Sequence, residues 1–148
     1  MKYEAYSELT ITDDFGVVDF ISIGKNGSIP KRITFTYTGI ANVYMLTFGD
    51  VNENNEIDDY ITSNNGDRNK LLATIFKVVD DYTRKYPNRW IAFTGSTKER
   101  TRLYRMAISL NLDELSMKFD IYGFTQNDLV RFAKNMKIES FFIKRKII

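Results

Sequence analysis

The chain has 148 residues, of which 43% are hydrophobic and 27% charged, as in soluble globular proteins. It contains no cysteine and no histidine, which excludes disulfides, thiol nucleophiles, Ser-His-Asp triads and zinc sites built on these residues. The length predicts a single domain over residues 1–148. Composition alone identifies no activity, no catalytic residue, no cofactor and no metal.

Charge is divided unevenly along the chain, although the total is only +2. Residues 1–60 carry 4 basic and 10 acidic side chains, whereas residues 61–148 carry 17 basic and 9 acidic ones. The basic half indicates either an anionic partner or attraction between the two halves within one fold.

The first sixty residues are typical of an antiparallel meander. A β-branched run at Val17 to Ile23 meets Asn26-Gly27, a strong two-residue hairpin signal. Alternating strands are then predicted over residues 32–37 and 43–49, and a short strand around Ile57 to Thr62.

A helical period begins after Asn64–Asp67, which offers a capping residue and an acidic first turn. Apolar residues recur every three or four positions up to Tyr82, and Tyr86-Pro87-Asn88 ends the helix. The unbroken apolar run that opens Trp90 to Thr94 predicts a strand buried on both faces, inside the sheet.

The remaining residues alternate between helix and strand. We expect a helix over roughly Thr97 to Leu110, a strand at Phe119 to Gly123, and a strand centred on Ser140 to Ile143. Between the last two, Leu129, Phe132, Ala133 and Met136 have helical spacing after a Thr125–Asp128 start. The fold class predicted is α+β: a mostly antiparallel sheet, meander first, with two main helices packed on one face.

The turn at Gly95-Ser96-Thr97 is the segment with most chemistry. It precedes a helix whose N–H groups suit a phosphate or carboxylate. Lys98, Arg102 and Arg105 fall on one helix face, with Ser109 between them. The alternative is a capping box, Ser96 with Glu99, and a solvated basic face. The candidate ligand-binding residues are Ser96, Thr97, Lys98, Arg100, Arg102 and Arg105.

Arg100 lies one turn before Leu103 and Tyr104, which with Ala107 and Leu110 define the predicted buried side of this helix. A buried arginine needs a carboxylate or several carbonyls. Asp67 or the acidic first half could supply it, which favours a structural ion pair. A ligand-facing role is the other interpretation.

Three segments together resemble a known family. They are Asn64–Thr74 (NNGD followed four residues later by LAT), Gly95–Tyr104 (GST, then RTRLY), and the closing Phe142–Lys146. They resemble an uncharacterised family of short, mostly Bacteroidetes proteins, a domain of unknown function. The resemblance implies a bacterial cytosolic protein and brings no activity, cofactor or catalytic residue.

The acidic stretch from Asp50 to Ile61 can be aligned with a calcium loop. The alignment fails at position 6, which is Asn55 instead of glycine, and at position 12, which is Ile61 instead of glutamate. A polar hairpin connection is the favoured interpretation. A metal-dependent phosphodiesterase would have to draw its carboxylates from this stretch: Asp50, Glu56, Asp58 and Asp59.

The function predicted is a non-enzymatic module that binds a phosphate-bearing ligand or nucleic acid through the basic helix face, with Lys144–Lys146 adding charge. Aromatic residues mostly occupy core-pattern positions, which weakens the interpretation of a stacking platform. The alternatives are a protein-interaction domain or homodimer, such as an operon partner, and a metal-dependent phosphodiesterase. No apolar stretch suits a targeting segment or membrane span, so a cytoplasmic location without a membrane partner is expected.

Overall fold

A computed structural model describes residues 3–58, 64–95, 97–126 and 128–147. The strands in these residues are β1 (Thr10–Ile11), β2 (Val17–Gly24), β3 (Gly27–Tyr37), β4 (Val43–Val51), β5 (Ile57–Asp58), β6 (Trp90–Phe93), β7 (Phe119–Thr125), β8 (Asp128–Arg131) and β9 (Ser140–Arg145). The helices are α1 (Arg68–Lys85), α2 (Lys98–Leu110) and α3 (Leu112–Lys118).

Strand pairing is mostly antiparallel, which confirms the predicted α+β class. The antiparallel pairs are β1–β2, β2–β3, β4–β5, β6–β9, β7–β8 and β7–β9. The pairing of β4 with β6 is parallel. A parallel pair needs a long crossover connection, and the connection between these strands contains α1.

The residues group into two compact units. The first unit comprises Met1–Thr36 and Leu46–Val79, and the second comprises Tyr37–Met45 and Asp80–Ile148. The chain passes from one unit to the other three times: at the end of β3, within β4 and within α1.

The first unit contains the predicted meander. Strands β2 and β3 form a hairpin in which Gly24 pairs with Gly27, and Gly27 has a φ of 85°. The predicted hairpin is therefore confirmed, but its two turn residues are Lys25 and Asn26, and Gly27 is the first residue of β3, where glycine adopts the positive φ without strain. Helix α1 begins one residue after Asp67, whose carbonyl accepts from the Leu71 N–H at 2.9 Å. The core of this unit is mostly apolar, although Lys31, Asp50 and Asn65 are also buried, and its apolar residues include Val18, Phe20, Ile33, Phe35, Ile75 and Phe76.

In the second unit β6 lies between β4 and β9, as predicted for a strand inside a sheet. One sheet face is fully covered and carries Ile91, Phe93, Phe119, Ile121, Phe141 and Ile143. Helix α2 packs on this face, where the Tyr104 and Phe93 rings meet edge-on at 5.5 Å. The expectation that β6 is buried on both faces is wrong at Trp90, which is half-buried on the other face.

The predicted helix after Thr125–Asp128 is also wrong. Residues 128–131 form β8, which pairs with β7 in a hairpin, and the residues between Arg131 and Ser140 contain no helix. The helical spacing is misleading because the apolar residues at these positions have different environments in the fold. Phe132 is buried, whereas Leu129 is 51% exposed on the hairpin. Two elements without a sequence prediction are the two-residue β1 and the short helix α3.

No helix in the described residues combines the length and the hydropathy that a membrane span requires.

Candidate functional site

The turn between β6 and α2 depends on a close approach at Gly95. A Cβ at this position would lie 2.2 Å from the Thr101 nitrogen, so the turn requires glycine. Thr97 is the N-cap of α2, and its side chain accepts from the Arg100 N–H at 3.2 Å. The predicted Ser96–Glu99 capping box is therefore wrong, because the helix begins one residue later and Arg100 occupies the third position. Ser96 lies outside the described residues.

The three cations predicted on one face of α2 form a basic strip, defined here as Lys98, Arg102 and Arg105. Lys98 and Arg102 are exposed and Arg105 is half-buried. Within the described residues none of the three forms an ion pair with a carboxylate. The strip therefore keeps its full positive charge.

The position predicted for Ser109 on the basic strip is wrong. Ser109 is buried, and its hydroxyl accepts from the Asn135 N–H at 3.1 Å. The predicted buried side of α2 is also wrong at its last residue, because Leu110 is 82% exposed and Ile108 is buried instead. The segment around Asn135 covers the last turn of α2, and a contact between residues so far apart in the chain has no local sequence signal.

Arg100 is half-buried one turn before the buried Tyr104, as the helical spacing predicts. Asp67, one of the partners considered for it, instead accepts from the Tyr6 hydroxyl and from the Ser22 hydroxyl, the latter at 2.6 Å. Burial and the hydrogen bond to Asp67 raise the pKa of Tyr6 above its ordinary value of 10.0. The Asn64–Asp67 motif thus has a structural role in the first unit.

The closing basic segment does not act as one cluster. The Arg145 guanidinium lies on the covered side of the second unit, where it donates to Thr83 Oγ1 at 3.2 Å and to the Asp80 carbonyl at 2.8 Å. It also pairs with the Asp80 carboxylate, which Lys118 approaches at 3.4 Å. Alternation along β9 places Lys144 on the opposite face, with its ammonium 5.7 Å from the Trp90 ring centroid.

The acidic stretch is a polar hairpin connection between β4 and β5, as favoured. The Asn52 side chain accepts from the N–H groups of Asn54 and Glu56 at 2.9 and 3.0 Å. Arg32 donates to the Asn55 carbonyl at 2.9 Å and to Asp19 at 2.7 Å, which fixes the loop to β2 and β3. Residues 59–63, including Asp59, lie outside the described residues. In the part of the chain that the structure describes, no three acidic side chains group so as to hold a metal ion.

Sequence reasoning missed the second face of the sheet in the second unit. Trp90, Tyr122 and Phe142 are half-buried on this face. Their sequence pattern had indicated core positions. The alternation in β7 and β9 places Tyr122 and Phe142 opposite the core face. That alternation was visible in the sequence, but which of the two faces is covered was not.

Comparison with known proteins identifies the family of this chain. Residues 2–146 match the model of a Family of unknown function (DUF6934), and the chain therefore belongs to this family. No curated protein and no solved structure matches the chain.

Proposed function

We propose that this member of the family is a non-enzymatic module that binds a phosphate-bearing ligand or nucleic acid through the basic strip of α2. The observation that supports the proposal is that Lys98, Arg102 and Arg105 share one helix face without a carboxylate partner among the described residues. Cations at this spacing suit successive phosphates, whose contacts dominate nucleic-acid affinity. Thr97 contributes less, because its side chain accepts from the Arg100 backbone N–H as the helix cap.

The test compares two double variants with equal loss of charge. Lys98→Gln with Arg102→Gln removes two cations of the basic strip, whereas Arg68→Gln with Lys77→Gln removes two exposed cations of α1. Binding of labelled single- and double-stranded oligonucleotides is measured by fluorescence anisotropy against salt concentration. We expect only the α2 variant to reduce the salt dependence of binding. For single strands, the slope of log K against log salt concentration should become shallower by about 1.4.

Two results would contradict the proposal. One is no binding by the wild-type protein at low salt, where phosphate contacts are strongest. The other is an equal loss from both double variants, which would indicate only a general effect of net charge.

A protein-interaction domain or homodimer is the second candidate, and a different observation favours it. Met106 and Leu110 lie one turn apart on α2, and they are 46% and 82% exposed, with Met117 of α3 75% exposed. Exposed apolar side chains at helical spacing suit a partner helix. Light scattering across protein concentration tests the self-associating version, for which Leu110→Glu is expected to convert a dimer to a monomer. A wild-type protein that is monomeric at every concentration would exclude it.

The proposal places this module in the bacterial cytoplasm, which is supported by the resemblance of the Asn64–Thr74 and Gly95–Tyr104 motifs and by the absence of cysteine. No observation favours the metal-dependent phosphodiesterase, since no metal-binding group is found in the described residues.

A further inference from the structure

The sheet of the second unit has one fully buried and one partly exposed face, and strand register assigns residues to each. Residues paired across neighbouring strands share a face. Ala92 pairs with Phe142, Phe142 with Tyr122, and Tyr122 with Arg131. Lys144 pairs with Asp120 on the same face, and Trp90 joins them because it is two residues from Ala92.

The two faces differ sharply in burial. The side chains of Ile91, Phe141 and Ile143 on the covered face are at most 1% exposed. On the other face the small side chain of Ala92 is buried, whereas Trp90, Tyr122 and Phe142 are half-buried and Arg131 is exposed. Aromatic rings that remain accessible in the folded chain do not serve the core alone. We refer to the side chains of Trp90, Tyr122, Arg131, Phe142 and Lys144 as the aromatic face.

Each of two rings on the aromatic face has a cation over it, in a cation–π contact. The Lys144 ammonium lies 5.7 Å from the Trp90 ring centroid, and the Arg131 guanidinium lies 5.1 Å from that of Tyr122. The two rings are neighbours, with centroids 5.6 Å apart in an edge-on arrangement. The carboxylate on this face is Asp120, whose Oδ1 is 3.8 Å from Arg131 Nη1. Positive charge therefore exceeds negative charge around the rings.

We propose that the aromatic face binds single-stranded nucleic acid, with unpaired bases stacked on Trp90 and Tyr122 and phosphates held by Lys144 and Arg131. Rings with adjacent cations match the two parts of a nucleotide, its planar base and its anionic phosphate. A duplex keeps its bases stacked on each other, so it cannot present them to a flat sheet. Tryptophan, tyrosine and arginine are also enriched at protein interfaces, whereas lysine is depleted there, so a second copy of the chain is an outcome that the experiment must separate.

This site goes beyond the proposed function, because it is separate from the basic strip. Helix α2 packs on the covered face through Tyr104 and Phe93, whereas the aromatic face is the opposite side of the same sheet. Each site can therefore be tested while the other is intact.

The chain contains one tryptophan, so Trp90 is an intrinsic fluorescent probe of this site. We titrate the full chain with an unlabelled short oligothymidylate and, separately, with its duplex with oligodeoxyadenylate. We expect the single strand to quench Trp90 fluorescence and the duplex to leave it nearly unchanged. Equal quenching by the duplex, or no quenching by the single strand at low salt, would overturn the proposal.

Variants at Tyr122 test stacking directly. Tyr122→Ala removes the ring and is expected to weaken single-strand binding about tenfold, whereas Tyr122→Phe keeps the ring and the affinity. Tyr37→Ala is the matched control, because Tyr37 is a 55% exposed tyrosine at the end of β3 and outside the aromatic face. Circular dichroism verifies that each variant folds, and if Tyr122→Ala does not, Lys144→Gln tests the phosphate contact instead. Equal affinities for Tyr122→Phe and a folded Tyr122→Ala would overturn the role of the ring.

Two further outcomes separate this proposal from its alternatives. If Lys98→Gln with Arg102→Gln abolishes anisotropy-detected binding of duplex but leaves the quenching of Trp90 by single strands, the two sites are independent, as proposed. A change in Trp90 fluorescence with protein concentration, in the absence of any oligonucleotide, would assign the aromatic face to a second copy of the chain and overturn the proposal.

Discussion

Replacing Lys31 with methionine is expected to lower the free energy of unfolding by about 3–5 kcal/mol. Lys31 lies on β3 of the first unit with 3% of its surface exposed, and its ammonium pairs with the carboxylate of Asp50 on β4, itself 9% exposed. The ammonium also lies 5.9 Å from the Phe48 ring centroid. The variant leaves the Asp50 carboxylate buried without this cation, and removing one partner of a buried ion pair is strongly destabilising.

Urea denaturation measures this effect, with an unchanged m-value as evidence that the two-state transition is retained. Arg32→Met is the matched control, because Arg32 is the next residue on β3 and pairs with the more exposed Asp19. We expect it to cost about 1–2 kcal/mol, because Arg32 also donates to Asn55, but water can solvate Asp19 and the Asn55 carbonyl in the variant. The double variant Lys31→Met with Asp50→Leu should recover most of the loss, since apolar residues can replace a buried pair. A single variant as mild as Arg32→Met would contradict the importance of this pair.

Replacing Asn65 with alanine is expected to cost about 2–3 kcal/mol. Asn65 is 2% exposed, and its carboxamide connects the segment before α1 to the β2–β3 hairpin. Its Oδ1 accepts from the Asn26 N–H at 2.7 Å, and its Nδ2 donates to Ser22 Oγ and to the Gly27 carbonyl, both at 3.0 Å. Removing the carboxamide leaves all three partners without this bond in a partly dry environment.

The neighbouring Asn64 provides a control of the same residue type. Its side chain is exposed and accepts one long bond, from the Gly66 N–H at 3.3 Å. Asn64→Ala should therefore change stability by about 0.5 kcal/mol or less. Thermal unfolding of both variants makes the comparison, and similar melting temperatures would show that the Asn65 bonds are replaced by water.

Local signals in the sequence were sufficient for most elements. The β2–β3 hairpin and the start of α1 after Asp67 depend on backbone preferences of a few adjacent residues, and the structure confirms both, with the hairpin turn one residue earlier than the Asn26-Gly27 signal. The segment after Thr125 shows the limit of such reasoning. Its apolar spacing favours a helix, but pairing with β7 satisfies the backbone of residues 128–131 as a strand.

The predictions for the candidate sites have the same limit as those for the fold. Periodicity alone placed Lys98, Arg102 and Arg105 on one helix face, because that relation depends only on helix geometry. It could not show that Ser109 is covered by the segment around Asn135, nor that Arg145 pairs with Asp80. These contacts join residues far apart in the chain.

The sequence by itself determined the α+β class, the positions of most strands and helices, and the exclusion of cysteine and histidine chemistry. These follow from composition and from periods of two and 3.6 residues, which are local properties. Only the tertiary structure decided that Trp90, Tyr122 and Phe142 face away from the core. The alternation of a strand defines two faces, but the face that becomes covered depends on where α2 packs, and that is settled by contacts between distant residues.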